Sequence, residues 1–517
     1  MEQVVVVGGG PVGLWLAAEL RLGGASVVVL EAREERDPHS KALTIHPRTL
    51  EVLACRGIVD RFLAEGMRIP SGHFAGLDSR MDFRVLDTPY PFTLALPQAR
   101  TEELLEEHAL SVGVKVLRGE RVEGLVQGVD GVTVHGTSTV EASYVVGCDG
   151  ARSTVRAAAG IEFPGTDATS WGWLGDVVLD DPPPSPVLSV TGAEGGIMVV
   201  ALPGGVHRFV GNDPTGNRTT WPGELTLEEL RATVVRVTGK DFGMRDPRWL
   251  SRFGNTTRQA AEYRRGRVLL AGDAAHVHFP TGGVGLNVGV QDAANLGWKL
   301  AAVVTGRAPT DLLDTYHAER HPVGAELLRA TRAQTALMTS YTPETIALRS
   351  LLSDLIAQVP AFSRTLADRL SALDITYPAP NDSHPLTGHR APNLHFTNNT
   401  TLFDLLQTGH HVLITPTPTP PTTLPIPPDV VPAGVLLAPS DALPAGAVPT
   451  PPDVVPASAL LAPPDVLPTA TLLAPPDAVL TSALLDPPAE WATVTTALIR
   501  PDGHVAWATS VKPEAAA

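Results

Sequence analysis

Residues 4–31, VVVVGGGPVGLWLAAELRLGGASVVVLE, decide the fold. The four valines read as a buried parallel strand, Leu14 to Leu22 as a helix and Ser26 to Leu30 as a second strand, which is a βαβ opening. Between the first strand and the helix stands Gly8-Gly9-Gly10-Pro11-Val12-Gly13. In that context Gly8 permits a tight turn, Gly10 lets backbone approach a pyrophosphate, and Gly13 allows close helix packing. Pro11 suits the first helical turn, where its missing N–H has no partner to lose. Glu31 closes the second strand eighteen residues beyond Gly13, where a carboxylate can accept both hydroxyls of an adenosine ribose. This segment, with Val12 and Ala32 beside the loop, is built to bind a dinucleotide. It does not say which one.

The 517 residues exceed what one hydrophobic core supports. Lys plus Arg number 39 against 55 Asp plus Glu, a formal charge of −16 and the wrong sign for a nucleic-acid partner. The two cysteines, Cys55 and Cys148, exclude a disulfide scaffold, a CxxC redox pair and a cysteine zinc site, and they fit a reducing cytoplasm. The N-terminal apolar run is too short for a signal peptide, and no apolar stretch approaches the ~18 residues that cross a bilayer, so a cytoplasmic chain without membrane contact is expected.

Strand and helix signals alternate to about residue 166 and resume at Arg267 to Leu270, followed by the helical stripe Leu286, Val290, Ala293, Leu296 and Leu300. The first domain is therefore expected to be discontinuous, residues 1–166 and 262–375, ending in a helical extension with Thr342 as a capping candidate. Residues 167–261, grouped with 76–96, show short alternating runs separated by Gly, Pro and Asn-Asp turns, the pattern of a mostly antiparallel sheet. Residues 385–517 contain strand-like His411 to Ile414 and Ala497 to Ile499 and the turn Pro501-Asp502-Gly503, a small α/β domain. It is interrupted at 415–488, which hold 21 of the 48 prolines and no Lys, Arg or Glu. Five twelve-residue units begin there at Pro427, Pro439, Pro451, Pro463 and Pro475, with Asp429, Asp441, Asp453, Asp465 and Asp477 in register. Such units form at most a short strand or turn at their VLLA-type ends, so a flexible insertion is expected, with a docking surface as the alternative.

Two further segments put acids at carboxyl ends of apolar strands, where open α/β sheets bind ligands. They are Val145 to Ser153, with Asp149 and Arg152, and Arg267 to His276, with Asp273. The loop GGGPVG, the segment CDGARSTVR and the stretch AGDAAHVHFPTGGVGLNVGVQDAANLGWKL together resemble the three signatures of group A FAD-dependent monooxygenases of the para-hydroxybenzoate hydroxylase type. The likeness covers roughly the first 330 residues, and LLDTYHAERHPV extends it. Within that family the chain is most similar to the aromatic polyketide hydroxylases, whose C-terminal domain is thioredoxin-like without redox cysteines.

The resemblance implies an α/β fold: a Rossmann-type FAD-binding domain, a mostly antiparallel substrate domain and a C-terminal thioredoxin-like domain. It implies FAD on Gly8, Gly10, Pro11, Val12, Gly13, Glu31 and Ala32, with Asp273 on the ribityl chain. The Pro280 to Asn287 loop would lie along the isoalloxazine, with Pro280, Gly283 and Asn287 at the reacting face and Gly285, Leu286 and Asn287 holding the ring edge. Amides there, at the positive end of a helix, suit the anionic reduced flavin. Arg48 would lie near the flavin and pyrophosphate, Gln98 would reach the FAD phosphate or ribose region, and Asp149 would serve both FAD and NAD(P)H. Lys41 stands where the family commonly has arginine, keeping the charge and losing the bidentate fork.

One dinucleotide loop leaves NADPH or NADH to bind transiently, and the resemblance implies that O2 is used through a C4a-hydroperoxyflavin that passes one oxygen to a phenolic, polycyclic substrate. That substrate would lie between the 167–261 sheet and the flavin, where Trp171, Trp173, Phe209, Trp249 and Phe279 offer aromatic surface, with Phe209, Trp249 and Phe279 as the substrate candidates. His276 and His278 lack further donors, so no metal is expected. Baeyer–Villiger oxygenation, an FAD-dependent reductase without oxygen activation and a non-catalytic FAD-binding protein are the alternatives. A small aromatic molecule is the expected partner, in a monomer or homodimer.

Overall fold

A computed structural model describes residues 2–414, 479–481, 484–485 and 487–510. β1 (Glu2–Val7) runs through Gly8, which has φ +106 and no room for a Cβ beside the Cys148 carbonyl, into α1 (Pro11–Leu22). β2 (Val27–Glu31) then returns parallel to β1, so the βαβ opening is as the sequence predicts. The parallel order is Val268–Leu270, Thr139–Gly147, β1, β2, Lys115–Arg118. Both faces are covered, as near-continuous valine strands require. On one face α1 packs against the Gly285–Val304 helix so closely that a Cβ on Gly297 would lie 2.4 Å from that of Glu19. The helical extension follows as Asp314–Thr339, Pro343–Gln358 and Pro360–Ser371, and Thr342 does cap the second of these by accepting from the Thr345 amide.

The second sheet has the antiparallel order Val187–Gly192, Gly195–Ala201, Val206–Asn212, Trp171–Leu179, Met244–Gly254. One of its faces carries Trp173, Val177 and Phe209, which bury against Leu230 and Val234 of the Leu227–Thr238 helix. The opposite face is turned to the cofactor domain: Arg208 on it reaches the Ser40 carbonyl, and the Asn212 side chain donates to Met338 O at 2.8 Å. The segment 76–96, grouped with this sheet from sequence, supplies none of its strands. Instead Thr93–Ala95 pairs with β3 (Thr44–Ile45), and Leu77, Met81, Phe83 and Leu86 pack on Ile356 and Ala367 of the helical extension. Its short apolar runs found a closer partner in those amphipathic helices.

Among the described residues the larger sheet of the C-terminal domain has the order Val479–Thr481, Val412–Ile414, Val494–Ile499, Val505–Ser510. The first two are parallel and the last two antiparallel, as a thioredoxin-like domain requires. Gly503, at φ +76, closes the hairpin between the last two strands. The flexible-insertion expectation for the proline repeats lies outside the described residues, save that the fifth unit supplies Val479–Thr481 and Leu484–Leu485 as short strands. Among the described residues no helix is long and apolar enough to cross a membrane, and no three His, Cys, Asp or Glu side chains are placed to hold a metal ion.

Candidate functional site

The glycine loop divides its work as the sequence predicts. A Cβ on Gly13 would stand 2.0 Å from the Gly8 carbonyl oxygen, whereas one on Gly10 would meet nothing within 4 Å. The open side at Gly10 faces the start of α1, which has Pro11 first and no side-chain cap. The amides of Val12 and Gly13 thus lack intrahelical partners and are available to an anion. Val12 itself is a wedge, its side chain filling the space a Cβ on Gly272 or Gly289 would need. Glu31 accepts from the Gly9 amide at 2.7 Å and the Arg33 amide at 2.9 Å, with Ala32 between. A carboxylate has about four lone-pair sites, so ribose hydroxyls can still be accepted.

Asp149 follows the parallel strand Thr139–Gly147, and its Oδ2 accepts from the Val155 amide at 3.1 Å. Its Oδ1 is buried without a partner, and burial pushes the carboxyl up from its ordinary range. Arg152 is exposed; the guanidinium that ties this loop to the next is that of Arg156, which donates to the Ala274 carbonyl at 2.9 Å. Asp273, at the carboxyl end of Val268–Leu270, is exposed and makes no hydrogen bond or ion pair among the described residues. An unsatisfied buried oxygen, an unpaired carboxylate and two uncapped amides are what a bound dinucleotide would complete, and the residues present fit FAD.

The Pro280 to Asn287 loop is held from behind. Gly282 and Gly283 have φ +69 and +65, and a Cβ on Gly283 would strike Thr44 Oγ1 at 2.2 Å. The His46 ring donates to Gly282 O at 2.8 Å, and its amide donates to Asn287 Oδ1 at 2.8 Å. Asn287 Nδ2 donates to Gly283 O at 2.9 Å and to Thr44 O at 3.1 Å. The side chain of Asn287 is thereby used inside the protein, leaving backbone as its free surface. Burial holds His46 at about 4, so the ring is neutral. The helix that begins at Gly285, ahead of Leu286, has no side-chain cap, and Pro280 is exposed at the loop's entry. Behind it His276 and Arg320 grip Asp292 at 2.8 and 2.7 Å, and the Gly272 amide donates to the same carboxylate at 3.1 Å. His276 is therefore a structural partner, while His278 turns Nδ1 to the Phe279 carbonyl at 2.7 Å.

Other expected residues lie elsewhere. Gln98 accepts from the Ala42 amide at 2.9 Å and donates to Glu102 at 2.7 Å, bracing the loop that carries exposed Lys41. Arg48, expected near the flavin and pyrophosphate, is buried and spends its guanidinium on Glu51 at 2.8 Å and the Asp502 carbonyl at 2.7 Å. Phe209 faces the Leu227–Thr238 helix and not the cofactor domain, as does Trp173. Trp249 lies on the other face, in a cross-strand row with Asp176 and Arg208. There its ring stacks on His39 at 5.1 Å. Sequence reasoning missed Phe253, two strand pairs along from Trp249 on the same face and 5.3 Å from the Phe279 ring; period-two alternation would have found it. It also missed His46, Asp292 and Arg320, whose partners are remote in sequence.

A parallel sheet with a dinucleotide loop, an acid at each of three strand ends and a glycine-rich loop opening a long helix defines an FAD-dependent oxidoreductase. The model of the FAD binding domain family matches residues 1–331. An uncharacterized aromatic compound monooxygenase of Bacillus subtilis, YhjG, is 50% identical over 424 residues, 80% of this chain and 85% of that protein. The 12-dehydrotetracycline 5-monooxygenase/anhydrotetracycline 6-monooxygenase of Streptomyces rimosus is 45% identical over 409 residues, 76% and 80% of the two chains. Among solved structures, the OxyS anhydrotetracycline hydroxylase from Streptomyces rimosus matches with a TM-score of 0.81 and 39% identity over 98% of this chain and 96% of that one. The chain belongs to the FAD binding domain family and is an FAD-dependent monooxygenase. The expected fold, cofactor and enzyme class are borne out.

Proposed function

We propose that the protein hydroxylates a phenolic, polycyclic, polyketide-like aromatic compound, consuming NADPH or NADH and O2. The observation that carries this reading is the aromatic face of the second sheet, where Trp249 and Phe253 look toward the cofactor domain and Phe253 packs on Phe279, the residue that leads into the glycine-rich loop. A flat aromatic molecule seated there would lie between ring surfaces and the loop, with water displaced. The names of relatives that act on tetracycline precursors favour the same substrate class.

FAD supplies hydride acceptance and oxygen activation when bound. The protein's residues do the rest. The Val12 and Gly13 amides suit the pyrophosphate, Glu31 the adenosine ribose and Asp273 the ribityl hydroxyls. Main-chain amides at Gly283 and Gly285, at the positive end of the Gly285–Val304 helix, favour negative charge on the ring by ~0.3–2 kcal/mol. His46, Thr44 and Asn287 keep the carbonyls of that loop turned inward, which leaves the amides outward. No protein nucleophile is required.

The test is to follow NADPH loss, oxygen uptake, peroxide and product mass with a panel of polyphenols. Substrate-stimulated oxygen uptake with a product one oxygen atom heavier, about 16 mass units, supports hydroxylation. Oxygen-independent NADPH loss supports a reductase, and a ring-expanded ester or lactone supports Baeyer–Villiger chemistry. Asp273→Ala is expected to give colourless protein; retention of stoichiometric FAD refutes the ribityl role.

A further inference from the structure

The turn Pro501-Asp502-Gly503 of the C-terminal domain is buried against the cofactor domain, which grips its backbone. The Asp502 carbonyl accepts from Arg48 Nη2 at 2.7 Å and the Pro501 carbonyl accepts from Arg56 Nη2 at 3.0 Å. A Cβ on Gly503 would stand 3.2 Å from Arg48 Nη2. Arg500, beside the turn, pairs with Glu319 at 2.9 Å, and Asp502 Oδ2 lies 3.4 Å from Asn295 Nδ2 on the Gly285–Val304 helix.

Arg48 sits in the first turn of α2 (Pro47–Ala54), two residues beyond His46. The segment from Thr44 to Arg48 is therefore pinned at both ends. At one end Thr44, His46 and Asn287 hold the Gly282 and Gly283 carbonyls; at the other the guanidinium is seated on the C-terminal turn. A solvated surface cation would do neither, and Arg48 is 2% exposed.

We propose that Arg48 is a positioning residue for the flavin. By seating α2 on the Pro501-Asp502-Gly503 turn it sets how His46 and Asn287 hold the Gly282–Gly283 peptide, so that the cysteine-free thioredoxin-like domain forms the back wall of the cofactor site. This rests on reading the Pro280 to Asn287 loop as the one that faces the isoalloxazine.

The two Arg48 variants are chosen for folding. Glu51 also accepts from Arg390 at 3.0 Å and from Thr88 Oγ1 at 2.8 Å, so Arg48→Met leaves that carboxylate paired with a cation. Arg48→Lys keeps the charge and one donor for the Asp502 carbonyl. Gly503→Ala perturbs the guanidinium from the C-terminal domain. FAD affinity, the visible flavin spectrum and the flavin midpoint potential are measured on each. Arg48→Met is expected to weaken FAD binding about tenfold, the loss of one buried hydrogen bond, and to shift the flavin band. Arg48→Lys should recover most of the change, and Gly503→Ala should move all three readouts in the Met direction. Variants that melt earlier while keeping wild-type affinity, spectrum and potential overturn the proposal, as does a lysine no better than methionine. Gly283→Ala, which acts on the loop directly, separates the two readings. If it leaves the flavin spectrum unchanged, the loop assignment has failed; if it alone moves the spectrum, only the role of Arg48 has failed.

Discussion

Gly10 and Gly13 stand three residues apart in one loop, yet they should fail in opposite ways. Gly10 has φ −78 and ψ −177, a conformation open to any residue, and a methyl there meets no protein atom within 4 Å. Gly10→Ala is therefore expected to change stability by no more than ~0.5 kcal/mol. The methyl would stand instead where a pyrophosphate must come to reach the Val12 and Gly13 amides. Two charge-assisted hydrogen bonds at ~1.5–3 kcal/mol each amount to ~3–6 kcal/mol, so FAD binding should weaken by at least about a hundredfold. Gly13→Ala puts a Cβ 2.0 Å from the Gly8 carbonyl oxygen, an overlap with backbone that no rotamer relieves. Its loss should fall on folding, by ~3 kcal/mol or more. The assay is a thermal melt of each deflavinated variant and a titration with FAD followed by fluorescence. A Gly10→Ala protein that takes up FAD with wild-type affinity would refute the placement of the pyrophosphate.

Trp249→Ala should raise KM for aromatic substrates with little change in melting temperature, whereas Phe209→Ala, truncating a fully buried core ring, should cost ~3–5 kcal/mol of stability; kinetics and melts on both decide which face of the sheet the substrate meets. Burial holds His46, His73 and His504 at about 4 rather than 6.5, so between those values the unfolded chain binds more protons than the folded one. Stability should accordingly fall as pH drops from 6.5 to 4, and a denaturation midpoint flat across that window would contradict their burial as neutral rings. Deleting residues 427–474, the first four repeat units, should leave FAD content and melting temperature unchanged, because the described parallel partner of Val412–Ile414 is Val479–Thr481 of the fifth unit; loss of bound FAD would refute this.

The repeat shows what kind of information a sequence carries openly. The sixth position of each unit is Pro432, Pro444, Pro456 and Pro468, then Leu480. Proline cannot donate to a ladder, so only the last unit is fit for the place opposite Leu413 that it takes. The steric division within the glycine loop and the Thr342 cap were legible for the same reason, since each task is set within a few residues. The facing of the second sheet was half legible. Alternation told that Phe209 and Trp249 lie in strands, but which face turns to the cofactor is decided by the Leu227–Thr238 helix covering the other one. Arg48 was out of reach altogether: its acceptor at Asp502 lies 454 residues away, and an arginine in an amphipathic helix reads as solvated.

That remoteness bears on why the domain contact is built from charge. Arg390 meets Glu51 at 3.0 Å and Arg500 meets Glu319 at 2.9 Å across it, while Arg56, which donates to the Pro501 carbonyl at 3.0 Å, and Lys299 are paired within the cofactor domain to Glu19 at 2.7 Å and Glu319 at 2.8 Å. Burial would raise Glu319, but Arg500 and Lys299 hold it at about 2. Buried pairs of this kind add little net stability over a well-packed apolar contact, while removal of one partner costs ~3–5 kcal/mol. What they add is register. An apolar face tolerates sliding by a fraction of a turn, whereas a guanidinium fork seated on two carbonyls, or on both oxygens of one carboxylate, has a single seat. A cofactor loop whose amides must face one ring edge needs its supporting helices in one register, and the charged interface with the C-terminal turn supplies that constraint from outside the cofactor domain.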